Sequence, residues 1–291
     1  MPTLLDFRRR IRSVKNTQQI TRAMKFVSAA RLRRAQEAAL AARPYAIELA
    51  RVLRSTMARI ESPQHPLLAK RPEERILVLV LAGERGLAGA FNSNILKEAI
   101  KFLKSKQGKK IVVVPVGKKS RDALRRVGLE FAAEYVNVLA RVDFGVAREI
   151  ANLVTSLYSD DKIDAVYAVF SEFKNVIAPN LVTEKLLPVE KLDDGAEGEG
   201  QTATSQVDYI YEQPEEQILD RLLPRYVETQ VLRALLESSA AEHAARMTAM
   251  EAATKNAGDV IEALTLYMNK VRQAAITKEI IEIVSGASST A

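Results

Sequence analysis

The sequence predicts an α/β protein: a long antiparallel coiled coil of N- and C-terminal helices with an inserted Rossmann-like α/β domain. Three observations predict it. Each end of the 291-residue chain reads as one very long helix. The middle alternates short apolar runs with helical stretches. Each terminal helix also carries an apolar stripe longer than the middle can cover, and two such stripes are best buried against each other. The expected segments are 1–60, 61–212 and 213–291.

The first segment has no Gly up to residue 60, and its only internal Pro is Pro44. Ile11, Val14, Ile20, Met24 and Val27 recur at mostly helical intervals. Ala29, Ala30, Ala35, Ala38, Ala39, Ala41 and Ala42 follow as a small-residue surface. A helix of this length runs on the order of 80 Å and needs a long partner. Pro44 removes an amide donor and crowds the carbonyl of Leu40, so a kink is expected there. Ser62-Pro63-Gln64-His65-Pro66 ends the helix, and His65, between two prolines, is expected to be exposed.

In the middle, 76–81, 111–116 and 165–170 read as strands, and 94–106, 120–127 and 144–158 as helices. Their alternation implies a largely parallel sheet. Residues 176–189 read as one or two further strands, antiparallel at an edge. The stretch 193–200 is acidic and Gly-rich, and is expected to be a mobile loop.

From about 215 the helical pattern returns. Val227, Val231, Ala234, Ser238, Ala241, Ala245, Thr248 and Ala252 are spaced as a heptad seam of small residues. The seam breaks at Lys255-Asn256-Ala257-Gly258 and resumes with Ala257, Ile261, Leu264, Met268, Val271 and Ala275 in a new register. Pro224 is expected to kink the first turns and to cost Asp220 its backbone bond. This helix outlasts its partner by roughly 15 residues, about 20 Å, so its far end must project.

Composition excludes several functions. The chain has no Cys, which removes disulfides, thiolate metal sites and Cys nucleophiles. Two His, His65 and His243, are too few for a His-rich metal centre. No apolar stretch is long enough for a transmembrane helix, and the start reads as helix rather than as a secretory signal or transit peptide. No Ser sits in a G-x-S-x-G elbow. His243, on a helix, reads as a surface or interface group. Net charge is +7, with much of the excess in the first 60 residues. A solvated face, nucleic acid, anionic lipid and an acidic protein partner would each fit. Phe7 and Phe26 are the only aromatics before Tyr45, which favours the protein partner over nucleic acid.

The loop Gly83-Glu84-Arg85-Gly86-Leu87-Ala88-Gly89 follows the first strand, where a nucleotide would be held. Its spacing is G-x-x-G-x-x-G rather than G-x-G-x-x-G. The second strand ends in Val116-Gly117-Lys118-Lys119, without the carboxylate a ribose needs. No phosphate-loop Gly-Lys-Ser/Thr is present, and Glu84 would repel a phosphate. The loop is read as a turn for packing or for contact with another protein.

The end of the chain, Ile276-Thr277-Lys278-Glu279-Ile280-Ile281-Glu282-Ile283-Val284-Ser285-Gly286-Ala287-Ser288-Ser289, resembles the C-terminal signature I-T-x-E-x-x-E-x-x-x-G-A-x-S of F-type ATP synthase gamma subunits, matching every defined position. Upstream, "SSAAEHAARMTAMEAATKNAGDVIEALTLYMNKVRQAAITKEI" is similar to the same family, as is the N-terminal "IRSVKNTQQITRAMKFVSAARLRRAQ". The loop resembles that family's S-D-R-G-L-C/A-G-G-F-N turn, departing at Gly83, Glu84 and Ala90.

The resemblance implies a rotor shaft, non-catalytic alone and without cofactor, metal or nucleic acid. Its coil would enter a ring of three alpha and three beta subunits. Its α/β domain would sit at the foot with the epsilon subunit and the membrane ring of c subunits. Proton flow would turn it, coupling transport to ATP synthesis or hydrolysis at the beta subunits. It would lie peripherally at the cytoplasmic face of a bacterial plasma membrane. Carried over by motif, Met24, Arg31 and Arg246 meet the acidic lever loops of beta, while Arg272, Gln273, Thr277 and Glu279 meet loops higher in the ring. Arg85 and Ala88 belong to the loop that sweeps past beta. Two other readings stand beside this one: a nucleotide-dependent α/β enzyme with helical arms, and a coiled-coil scaffold unrelated to ATP.

Overall fold

The computed structural model describes residues 3–59, 65–175, 180–189 and 215–289. The stretch 193–200 lies outside them. The two long helices are α1 (Leu4–Arg59) and, last in the chain, α5 (Glu215–Ser289). Between them come β1 (Arg75–Leu81), α2 (Phe91–Ser105), β2 (Lys110–Val116), α3 (Lys118–Val127), β3 (Glu130–Phe131), α4 (Phe144–Ser159), β4 (Ala165–Glu172) and β5 (Asn180–Leu187). Pro44 and Pro224 both lie inside unbroken helix. The two-residue strand β3 and a 3-10 turn at Pro66–Leu68 are too short to show a period in the sequence.

The chain packs as two compact units: Met1–Ala29 with Arg246–Ala291, and Ala30–Ala245. The first unit is an antiparallel helix pair. Phe7 packs on Tyr267 with ring centroids 5.1 Å apart, Gln18 and Thr21 meet Thr254, and Lys25 meets Glu251 at 2.5 Å. Helix α1 opens with a capping box: Asp6 accepts from the Thr3 amide at 2.9 Å, and Thr3 Oγ1 accepts from the Asp6 amide at 3.3 Å.

The seam of this pair is more polar than hydropathy suggests. Facing inward on α1 are Phe7, Ile11, Val14, Gln18, Thr21 and Ser28, at heptad intervals. Ile20 and Val27, expected in the stripe, are 60% and 53% exposed. Thr21 and Thr254 share a 2.8 Å hydroxyl hydrogen bond, and Gln18 Nε2 donates to the Thr254 carbonyl at 3.3 Å. On α5 the inward positions are Met250, Thr254, Ala257, Ile261, Leu264, Met268 and Val271, whereas Thr248, Ala252 and Ala275 are exposed. The change of register therefore falls before Met250, earlier than the Lys255–Gly258 break suggests.

The second unit is a five-stranded sheet of order β3-β2-β1-β4-β5, parallel except for β5 on β4. β1 is buried on both faces, as parallel strands are. Ile76, Val78 and Val80 pack with α2 and α3, while Leu77, Leu79 and Leu81 pack with α4, Leu53 of α1 and Leu219, Leu223 and Val227 of α5. The small-residue stripe of α5 has a different partner from the one expected. Val231 and Ala234 join the core on the α4 side of the sheet and Ala241 the core on the α2 side, while Ser238 Oγ sits 3.5 Å from the Leu81 carbonyl. Small residues here admit the end of a strand, not only a second helix.

Candidate functional site

The site that the sequence singles out lies at the carboxyl ends of β1 and β2. In an open α/β sheet, ligands bind where strand order reverses, here between β1 and β4. Next to that place, at the ends of β1 and β2, the chain's own groups take up the loop's polar atoms. Glu84 accepts from the Lys118 amide at 3.0 Å with Oε2 and from the Val138 amide at 3.1 Å with Oε1. The Lys118 amide opens α3, so a carboxylate stands at the helix terminus where a phosphate would stand. Asn92 accepts from the Gly83 amide at 2.8 Å and donates to the Arg85 carbonyl at 3.2 Å, which closes the loop on itself.

Two glycines make this packing possible. A Cβ on Gly117 would lie 1.8 Å from the Ala82 carbonyl oxygen, and its φ of +96° suits glycine alone. A Cβ on Gly83 would lie 2.9 Å from the Glu242 carboxylate. Glu242 and its neighbour His243 are only 4% and 5% exposed on α5. His243 is thus buried, contrary to the surface reading, because α5 is covered on nearly every face over 227–244. His65 is also not exposed. Its Nδ1 accepts from the Leu67 amide at 3.1 Å, and its Nε2 faces Asp220 at 3.5 Å. Burial lowers its pKa, with Asp220 opposing.

The tip of the loop points the other way. Arg85 and Gly86 are exposed, and Leu87 is 66% exposed with φ +62°, a left-handed conformation that costs a Leu roughly 1–2 kcal/mol. Ala88, taken from the sequence as a contact residue, is 1% exposed and packs with Phe91 and Ile95 in the core. Leu87 is the outward side chain instead. Nothing in the residue type announces this, because left-handed Leu is rare.

The remaining predicted residues lie on the long helices. Met24 and Arg246 are half-buried, and Arg31, Arg272, Gln273, Thr277 and Glu279 are exposed. Every residue from 272 to 285 is exposed, including Ile276, Ile280, Ile281, Ile283 and Val284. Among the described residues, no group of three or more His, Asp or Glu is placed to hold a metal, and no helix is long and apolar enough to cross a membrane.

A doubly wound α/β unit whose first βα loop is closed by its own side chains, in a chain whose two ends pair as antiparallel helices, defines the structural class. The family model described as "ATP synthase" matches residues 3–290. The ATP synthase gamma chain of Solibacter usitatus is 49% identical, and that of Pelotomaculum thermopropionicum 47%, each over 99% of both chains. The solved OSCP/F1/c-ring assembly of Euglena gracilis mitochondrial ATP synthase holds a chain similar in fold. The TM-score is 0.67 at 21% identity, covering 99% of this chain and 94% of that one. A chain of the Tetrahymena thermophila mitochondrial ATP synthase central stalk and c-ring gives 0.59 at 25% identity, covering 80% and 99%. The chain belongs to the ATP synthase gamma-chain family.

Proposed function

We propose that the chain is the central rotor shaft of an F-type ATP synthase and catalyses nothing alone. Residues 1–60 and 213–291 form the shaft, and 61–212 the foot. The shaft turns inside three alpha and three beta subunits, and the foot binds the epsilon subunit and the membrane c-ring. The protein is peripheral, at the cytoplasmic face of a bacterial plasma membrane. Each beta site binds nucleotide differently as a different side of the shaft faces it, which is population shift by differential contact. Met24, Arg31, Arg246, Arg272, Gln273, Thr277, Glu279 and Arg85 are the contacts, with Leu87 at the loop tip.

The observation that carries this reading is the apolar surface that the two long helices leave exposed. Ile20, Phe26 and Val27 on α1 and Leu266, Ile280 and Ile283 on α5 are all more than half exposed. A coil that acted alone would have no use for them, and exposed apolar surface of this extent marks partner contact. A nucleotide-dependent enzyme is disfavoured because Glu84 and Asn92 occupy the loop. The test is a single-molecule measurement. Ser93→Cys, exposed on α2, gives a unique attachment point in a chain without Cys. A bead fixed there on the alpha–beta–gamma complex should turn in one direction with ATP. Hydrolysis without rotation would overturn the proposal.

A further inference from the structure

Two stretches carry the positive charge of this chain. Residues 1–60 hold fourteen Lys or Arg against three acids, and of these the proposed function uses Arg31. Residues 97–126 hold eleven Lys or Arg against Glu98 and Asp122, and nothing above uses them. That second excess alone is larger than the net +7 of the whole chain.

The fold gathers these charges on one side. Ile95, Ala99 and Leu103 of α2 and Leu124 of α3 bury in the same core, so both helices cover the same face of the sheet. Their opposite faces look outward with Lys97, Lys101, Lys104, Lys119 and Arg126, and Lys110 is exposed at the start of β2. Lys97, Lys104, Lys110, Lys119 and Arg126 make no ion pair among the described residues, and Lys101 has only a 3.8 Å contact with Glu98. Of the other cations, Arg121 pairs with Asp122 at 2.9 Å within the stretch, while Lys106 and Lys109 reach Glu73 and Arg125 reaches Glu134.

We propose that the outer face of the α2–α3 layer docks on an anionic lipid headgroup surface. Eight of the eleven cations are Lys, compact point charges suited to a diffuse negative surface rather than to bidentate recognition. A nucleic-acid site would offer rings to stack on bases. The only aromatic in the stretch, Phe102, is half-buried and packed against Tyr167 at 4.8 Å. A fluid headgroup layer also lets a turning foot slide, which fixed ion pairs to a static protein would resist. Only that last argument, and the nearness of a membrane, rest on the rotor reading.

The experiment is sedimentation of the full chain, assembled with its alpha and beta subunits, with phosphatidylcholine vesicles with or without phosphatidylglycerol. Binding is expected to need the anionic lipid and to weaken with salt, since screening acts over ~10 Å at 0.1 M. Together, Lys97→Glu, Lys101→Glu, Lys104→Glu and Arg126→Glu should cut binding about tenfold or more. The milder set with Gln at the same four positions should give a smaller loss in the same direction. Lys70→Glu with Arg141→Glu, exposed and outside both basic stretches, should bind as the unaltered chain does. No binding by the unaltered complex, equal binding by the fourfold variant, or tighter binding of duplex DNA than of the anionic vesicles would overturn the proposal. ATP hydrolysis and rotation of the same preparations report on the rotor reading separately.

Discussion

Glu84 satisfies two backbone amides in two different loops with one carboxylate. Val138 is 6% exposed, so its amide has little access to water if the carboxylate is lost. Replacing Glu84 by Ala should therefore cost about 1–3 kcal/mol, the usual penalty for a buried donor left unmade. Gln should fall between, because one of its two head atoms is itself a donor. Urea unfolding of the three chains measures this, and an unchanged midpoint for the Ala variant would remove Glu84 from the loop's support. Glu73 gives a pH-dependent case. Burial pushes its carboxyl up, but hydrogen bonds from Lys106, Tyr167 and Lys185 more than reverse this and hold it at about 2, against 4.5 ordinarily. A carboxyl lowered in the folded state stabilises fully above its unfolded value and loses that contribution as pH falls through the folded one. Glu73→Gln should thus be less stable than the unaltered chain by about 3 kcal/mol at neutral pH. The gap should close as pH falls from 4.5 towards 2. A constant gap across that window would mean packing, not charge, holds Glu73.

At the scale of elements, the strands and the short helices were legible because their periods are clean. β1, β2 and β4 fall on the apolar runs, and α2, α3 and α4 on the helical stretches between them. The pairing face of the long helices was only half legible. Hydropathy selects Ile20 and Val27, yet Gln18, Thr21 and Ser28 face inward. A polar residue at a seam position costs stability and gains register, and a residue scale cannot show that its partner waits over 200 positions away. The loop at 83–89 was legible as a site, but not what fills it, since Glu84 and Asn92 act through distant amides. The polar layer can be tested directly. Thr21→Cys with Thr254→Cys should oxidise readily, because the hydroxyls now meet at 2.8 Å and the chain has no competing Cys. Thr21→Cys with Ala252→Cys should not, since Ala252 points to solvent. The opposite outcome would put the seam back at the alanines. Gly258 belongs to the same layer: a Cβ there would lie 3.2 Å from Gln18 Nε2, so the Gln18 side chain would have to give by a few tenths of an ångström.

For the molecule as a whole, the question is whether the surface left bare by the fold is the surface that moves. The loop base is held at the Ala82 and Gly83 amides, the Gly83 and Arg85 carbonyls and the Glu84 carboxylate, while its tip is exposed. A tip so anchored can take load without folding back, as a tooth on a shaft must. Leu87, 66% exposed, is the side chain to use, because a thiol at buried Ala88 would not reach a partner. Leu87→Cys supplies the only thiol in the chain, and a second Cys goes into the acidic lever loop of beta. A disulfide requires Cα atoms within about 7 Å, so its formation reports that tip and lever meet. Oxidation should then stop multi-site ATP turnover, and reduction should restore it. Nucleotide should still bind at the locked catalytic sites, because none of their ligands has been altered. Salt should leave the oxidised state locked, since the bond is covalent, whereas exposed ion pairs are screened. If the disulfide forms and turnover continues at the unlocked rate, the loop does not move past beta, and the chain is not a rotor.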